Sequence, residues 1–192
     1  MDSEQAESSR PGVPIYQLRV SLKGVRPPIW RRLQVPCDVT LARLHKVIQI
    51  AMGWDGDHLH EFRVGRRQYG IPDPEDPWDV LSERSARLFQ VAPGPKFKIL
   101  YTYDFGDGWE HDILVEKVLP APADTQCPVC TDGRRACPPE DCGGAWGYSE
   151  ILQALRDPEN PDNSERLAWL GDGFDPEAFD LEGINRRLRR MH

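Results

Sequence analysis

Residues 16–35, YQLRVSLKGVRPPIWRRLQV, contain two stretches in which apolar and polar residues alternate. A period of two places successive side chains on opposite faces, so each stretch is typical of a half-buried β-strand. Gly24 and the Pro27-Pro28 pair lie between the two stretches, and such residues favour a turn over a central strand. We therefore predict that the fold begins with a β-hairpin.

The residues after this hairpin predict a helix followed by a third strand. Thr40 is a favourable N-cap, and Leu41 and Leu44 begin an apolar stripe at helical spacing. Gly53 is a favourable residue for the end of this helix. The third strand is predicted over residues 58–64, and the order strand, strand, helix, strand is that of a β-grasp opening.

The rest of the chain predicts a second hairpin and a helical C-terminal part. Residues 66–95 are rich in proline and are expected to be irregular, with a short helix over 80–89. A turn at residues 104–108 separates the two strands of the second hairpin, and residues 119–147 form a connection rich in proline, cysteine and glycine. Helices are expected over 148–155, 165–170 and 181–190, the last with Asp180 as N-cap.

These elements predict an α+β fold in which a mixed β-sheet has a β-grasp-like N-terminal half and a C-terminal helical segment. Residues 1–13 are interpreted as a disordered leader and residues 14–192 as a single domain. Hydrophobic residues make up 39% of the chain, which is enough for a substantial core.

Charge and composition argue against a nonspecific nucleic-acid-binding protein and against a membrane or exported protein. The formal net charge is -7, so the whole chain does not supply the positive field that nonspecific nucleic-acid binding requires. Two local basic patches, Arg31-Arg32 and Arg186-Arg187 with Arg189-Arg190, could still contact phosphate. No apolar run is long enough to cross a membrane, and the N-terminus lacks signal-peptide features. We expect a cytoplasmic protein without a membrane partner.

Histidines and aspartates near the two predicted hairpins are candidate metal ligands. His58 and His60 are two positions apart on a predicted strand and should share a face. His111 follows the turn that carries Asp104 and Asp107. If the two strands are neighbours, these five side chains suit zinc or another divalent ion. The alternative is that the histidines are partly buried and hydrogen-bonded to nearby groups.

The cysteines offer a second candidate metal site. Cys127, Cys130, Cys137 and Cys142 lie within 16 residues, and four thiolates can close a structural zinc site. The alternative is a proline-rigidified loop with reduced thiols, as expected for a chain that is not exported.

Two further features have simpler interpretations. Glu140 and Asp141 are adjacent and would face apart on an extended backbone, so loop capping or a salt bridge with Arg134 or Arg135 is expected. Ser21 lies in a Tyr, Arg, Val, Ser run similar to one on the first strand of serine recombinases. It is more simply explained as the polar face of a strand.

Several motifs together resemble one known family. They are KGVRPPIWRRLQVP and LARLHKVIQIAMGWDGDHLHEF in residues 23–62, YTYDFGDGWEHDI in 101–113, and CTDGRRACPPEDCGGAWGY and FDPEAFDLEGIN in 130–185. They resemble the plasmid pRiA-type ORF-three-like family, some members of which are labelled insertion-element passenger proteins of TnpR type. The resemblance implies an α+β fold and a mobile-element setting, without an assigned set of catalytic residues.

We therefore expect an accessory or binding module in a mobile-element context, with a protein or nucleic acid as its partner. The alternative is a metal-dependent hydrolase or nuclease in which His58, His60 and His111 hold the ion and Asp104 or Asp107 orients water. A serine-recombinase-like activity centred on Ser21 is the third possibility.

Overall fold

The computed structural model describes residues 12–73, 80–122 and 126–191. Residues 1–11, most of the predicted leader, lie outside this part of the chain. The first hairpin is confirmed: β1 (Ile15–Leu22) and β2 (Trp30–Pro36) pair antiparallel, with Leu18 opposite Leu33.

The helix α1 (Leu41–Met52) has the ends that the sequence predicts. The hydroxyl of Thr40 accepts a hydrogen bond from the backbone N–H of Arg43 at 3.2 Å, which satisfies one of the free donors of the first turn. Gly53 ends the helix with a φ of 96°, a left-handed conformation that glycine adopts without steric cost.

The remaining elements complete one sheet and a helical C-terminal part. They are β3 (His60–Val64), β4 (Arg67–Gly70), β5 (Leu81–Ser82), α2 (Leu88–Val91), β6 (Lys98–Tyr103), β7 (Trp109–Leu119), β8 (Val129–Arg134), α3 (Gly144–Arg156), a 3₁₀ turn (Pro161–Asn163), α4 (Ser164–Leu170) and α5 (Leu181–Arg189).

The strands form an eight-stranded sheet in the order β5-β4-β3-β6-β7-β1-β2-β8. Every neighbouring pair is antiparallel except β4 with β5, so the sheet is mixed and the fold is α+β. The strand β1 pairs with β7 on one side and β2 on the other. The β-grasp-like detail of the prediction is not confirmed.

The core lies between α1 and one face of the sheet. Leu18, Ile113 and Tyr101 on this inner face are fully buried, as are Leu44 and Ile48 of the helix. An antiparallel sheet can leave its other face in water, and alternation then separates apolar from polar side chains. On this outer face, the guanidinium of Arg19 lies 4.4 Å from the Trp30 ring centroid.

Some predicted boundaries are wrong. The helix expected over 80–89 is replaced by the two-residue strand β5 and the short helix α2, because this segment pairs with β4 at the sheet edge. The connection 119–147 contains β8, which pairs with β2. Within the described ranges, every helix is too short or too polar to span a bilayer.

Candidate functional site

Three segments that are far apart in sequence meet at one end of the sheet. They are the link 53–59 between α1 and β3, the turn 104–108 between β6 and β7, and the loop 135–143 between β8 and α3. The indole N–H of Trp54 donates to the carbonyl of Pro138 at 2.9 Å. The backbone N–H of Asp104 donates to the carbonyl of Leu59 at 2.9 Å. These bonds hold the three segments against each other.

His58 lies at the centre of this junction, and three carboxyl groups surround its ring. Its Nδ1 is 3.8 Å from Oδ2 of Asp104, and its Nε2 is 3.8 Å from Oε2 of Glu140 and 3.5 Å from Oδ1 of Asp141. We refer to these four residues as the His58 cluster. One ligand atom each from His58, Asp104 and Asp141 lie within 4.8 Å of one another, and the described residues contain no other such group of three.

Asp104 is held rigidly in its position. Its backbone has a φ of 55°, and its Oδ1 accepts hydrogen bonds from the N–H groups of Gly106 at 2.9 Å and Asp107 at 3.3 Å. These bonds keep the side chain turned back onto its own loop, as in an Asx turn. The second oxygen, Oδ2, is therefore directed at His58.

Glu140 is fixed by two donors from other segments. Its Oε1 accepts from the Tyr103 hydroxyl at 3.0 Å and from the backbone N–H of Asp55 at 2.9 Å. Burial raises the pKa of Tyr103, and the hydrogen bond to Glu140 raises it further, so this phenol keeps its proton and donates it. The other oxygen, Oε2, lies 3.3 Å from the same Tyr103 hydroxyl and 3.8 Å from Nε2 of His58.

Asp141 opens the cluster to solvent. Its side chain is 73% exposed, whereas that of His58 is 33% exposed and that of Asp104 is 9% exposed. Its backbone φ is also 55°, so two of the three carboxyl groups come from non-glycine residues in the left-handed region. Left-handed conformations of non-glycine residues are concentrated at functional sites, and Asp adopts them at lower cost than most residues.

The structure places the other predicted histidines outside the His58 cluster. The strand β3 begins at His60, so His58 lies before the strand and strand alternation does not place the two side chains on one face. His60 bonds through Nε2 to Glu83 at 2.8 Å, and its ring stacks on that of His45 with centroids 3.5 Å apart.

His111 is fully buried under Trp54 and beside Tyr101. Burial lowers its pKa to about 4, although backbone groups of Tyr101 and Trp109 oppose the shift, so the ring is neutral at pH 7. Within the described part of the chain, neither ring nitrogen makes a well-formed hydrogen bond. Asp107 accepts a bond from the Gly143 N–H at 3.2 Å and thus ties the turn to the loop 135–143.

The four cysteines do not form a group of ligands among the described residues. The sulfur of Cys137 contacts Sδ of Met52 at 3.2 Å and accepts from the Arg31 guanidinium at 3.4 Å, whereas Cys130 and Cys142 each point to a different backbone carbonyl. Burial raises the pKa of Cys137 to about 11, with Arg31 opposing the shift. Burial likewise raises the pKa of the thiols of Cys127, Cys130 and Cys142.

Sequence reasoning missed Glu140 and Asp141. The expectation that adjacent residues face apart holds for an extended backbone, but Asp141 is in the left-handed conformation and turns toward the same ring as Glu140. Among the described residues, neither Arg134 nor Arg135 forms an ion pair with Glu140 or Asp141, and Arg135 pairs with Glu177. Glu140 accepts from the backbone N–H of Asp55, as the alternative expectation of loop capping predicts. The sequence signal for this site is that the DFGDG and PPEDCGG segments both have the composition of tight turns.

Comparisons with known proteins agree with this architecture. The uncharacterized protein y4hQ of Sinorhizobium fredii is 40% identical over 178 residues, which cover 91% of this chain and 90% of the relative. The crystal structure of the protein of unknown function MM3350 from Methanosarcina mazei Go1 superposes with a TM-score of 0.81 at 39% identity, over 92% of this chain and 98% of that one. The family model for the plasmid pRiA4b ORF-3-like protein matches residues 14–183. The chain therefore belongs to the plasmid pRiA4b ORF-3-like family.

Proposed function

We propose that this protein is a metal-dependent hydrolase whose divalent cation is held by His58, Asp104 and Asp141. The observation that carries this proposal is the unbalanced charge of the His58 cluster. Three carboxyl groups surround one imidazole, and within the described ranges no Lys or Arg forms an ion pair with any of them. In their ionised form they carry more negative charge than one imidazolium can balance.

The donor set fits a divalent cation. One imidazole nitrogen with carboxylate oxygens suits zinc or manganese, and the separations of 3.5 and 3.8 Å between nitrogen and oxygen exceed those of direct charge-assisted hydrogen bonds.

The surroundings of the His58 cluster suit hydrolysis. When bound, a divalent cation lowers the pKa of a coordinated water and so provides a nucleophile near pH 7. Glu140 is held by Tyr103 and Asp55 with one oxygen toward His58, which positions this carboxylate to accept a proton. The exposure of Asp141 leaves a path for substrate from solvent.

Metal analysis and titration calorimetry with Zn²⁺ and Mn²⁺ test the cation site. We expect one equivalent of bound cation, and a loss of affinity of at least about tenfold in His58→Gln and in Asp141→Asn. Asp112→Asn, on the exposed outer face of β7, is the matched control for loss of one negative charge. Cys130→Ser should keep the cation, and its release by this change instead would support the zinc site predicted from the cysteines.

Hydrolysis is then measured with the cation-loaded protein and chromogenic esters and phosphodiesters. Turnover that disappears in His58→Gln supports the hydrolase. Cation binding without turnover would favour the accessory or binding module expected from the sequence, for which the plasmid name of the family is the support. Ser21 lies on the outer face of a largely antiparallel sheet, which gives no support to a serine-recombinase mechanism.

A further inference from the structure

Helix α5 ends in a cluster of four arginines that the His58 cluster does not involve. Arg186, Arg187, Arg189 and Arg190 are all exposed, and we call them the arginine cluster. Among the described residues, none of them forms an ion pair with an acidic side chain. The whole chain has a net charge of -7, so this is a local reversal of its overall sign.

Helix stability does not by itself explain four like charges at this place. Cations in the last turn of a helix interact favourably with the helix dipole, and Arg186, Arg187 and Arg189 lie in that turn, but each such interaction contributes only about 0.3–1 kcal/mol. Like charges three and four positions apart repel each other, and Arg186 has this relation to both Arg189 and Arg190. An anionic partner would turn this repulsion into attraction.

The helix that carries the arginine cluster is firmly attached to the sheet. The side-chain oxygen of Asn185 accepts from the backbone N–H of Cys130 at 2.8 Å, and its amide donates to the Cys130 carbonyl at 2.8 Å. Phe179, just before the helix, packs on Gly133, so α5 runs antiparallel to β8. The last turn of α5 therefore lies beyond Cys130, toward the N-terminal end of β8. The loop to the His58 cluster begins at the opposite, C-terminal end of β8.

The apolar face of α5 is already used. Ile184 and Leu188 are 4% and 2% exposed and belong to the core. A helix that binds a membrane as an amphipathic anchor inserts its apolar face into the lipid, and this face is not free to do so. A rigid surface of guanidinium groups without an apolar component suits the phosphates of a nucleic acid, to which Arg donates bidentate hydrogen bonds.

We infer that the arginine cluster of α5 binds the phosphate backbone of a nucleic acid. The contacts are to phosphates, so they carry little sequence information and depend strongly on salt. At physiological ionic strength the Debye length is about 8 Å. Negative charges elsewhere on the chain therefore weaken this binding only if they lie within about that distance of the bound phosphates. This inference does not depend on a cation at the His58 cluster.

Fluorescence anisotropy of a short labelled DNA duplex tests the inference in the full-length chain. We expect binding that weakens steeply between about 50 and 200 mM salt. Replacing all four arginines with glutamine should lower affinity at low salt by at least about tenfold and reduce the slope of log K against log salt by about 3. Replacing all four with lysine should retain most of the salt-dependent binding.

The control variant removes four positive charges elsewhere: Arg66, Arg67, Arg84 and Lys98, all exposed, are changed to glutamine. This variant should bind DNA nearly as well as the original protein, and thermal unfolding confirms that each variant is folded. The inference is overturned if the control loses as much affinity, if the lysine variant binds no better than the glutamine variant, or if the original protein does not bind the duplex at low salt. Binding to anionic phosphatidylserine vesicles without binding to DNA would also overturn it.

Discussion

Gly144 lies so close to the backbone carbonyl of Asp107 that a Cβ atom on Gly144 would overlap the carbonyl oxygen. This contact joins the start of α3 to the turn between β6 and β7, next to the bond from the Gly143 N–H to Asp107. The close approach explains why a glycine is needed at this position, in addition to its left-handed φ of 67°.

Gly144→Ala should therefore destabilise the protein by more than backbone strain alone. Gly53 is in the left-handed region, with a φ of 96° and no atom near its missing Cβ, so Gly53→Ala measures the backbone strain by itself. We expect a cost of about 1–2 kcal/mol for Gly53→Ala and a clearly larger one for Gly144→Ala, measured by urea unfolding. Equal costs would show that the close approach of the Asp107 carbonyl adds nothing to the cost of a side chain at position 144.

Substitutions of Asp104 can separate the effect of its charge from the effect of its backbone conformation. Asn tolerates a positive φ and keeps an oxygen that can accept from Gly106 and Asp107, so Asp104→Asn should unfold close to the original temperature. It should nevertheless lose cation affinity, since the negative charge facing His58 is removed. Asp104→Ala should lose affinity and also about 1–2 kcal/mol of stability. Unchanged cation affinity in Asp104→Asn, measured by calorimetry, would contradict the proposed role.

Tyr103 and Tyr101 form a matched pair on the inner face of β6. The hydroxyl of Tyr103 holds Glu140, whereas that of Tyr101 lies 2.7 Å from Nδ1 of His45 and accepts from Gln49 at 2.7 Å. Each change to Phe removes one hydroxyl and should cost about 1 kcal/mol or more of stability. Only Tyr103→Phe should reduce the hydrolytic rate and cation affinity, because only this change frees Glu140. A similar loss in Tyr101→Phe would indicate a general effect on the sheet.

The buried imidazole of His111 predicts that stability depends on pH. Its pKa is lowered from 6.5 to about 4 by burial, so between these values the unfolded chain binds a proton that the folded protein does not. The free energy of unfolding should therefore fall as the pH is lowered from about 6.5 to 4, by an amount on the order of 3 kcal/mol from this residue. The pKa of His45 is lowered to about 3, again chiefly by burial, and adds a decrease of the same sign.

His111→Leu should remove the first of these contributions and flatten the pH dependence in this range. Because the ring nitrogens make no well-formed hydrogen bond among the described residues, an apolar side chain of similar size should cost less than about 1.5 kcal/mol at pH 7. Urea unfolding at several pH values measures both effects. A variant with the same pH profile as the original protein would show that His111 does not titrate as proposed.

The fold could be predicted where local patterns and tertiary packing agree. The alternation in residues 16–35 produced the first hairpin, and the capping residues Thr40 and Gly53 marked the ends of α1. The strand β8, VCTDGR, was missed because Asp and Gly have low strand propensity and its pairing with β2 supplies the stability instead. A strand that is stabilised by pairing with a distant strand, against its own propensity, shows no strand pattern in its local sequence.

The candidate site could likewise be predicted only where its residues follow from strand patterns. The proximity of His58 to Asp104 follows from the pairing of β3 with β6, which neighbouring strand patterns suggest. Asp141 could not be placed from its sequence neighbours, since its direction depends on a left-handed backbone in a loop. The arginines at the end of α5 were visible as a basic run, but their exposure and the burial of Leu188 were not.

The loop that carries Glu140 also has a consequence for the order of folding. Its bonds to Trp54 and Asp55 join positions 84 and 85 residues apart, and contacts of such long range carry a high entropic cost before they form. The His58 cluster should therefore assemble after the transition state of folding. A molecule that binds there would lengthen the lifetime of the native state against unfolding and leave the rate of refolding nearly unchanged, as stopped-flow kinetics would show.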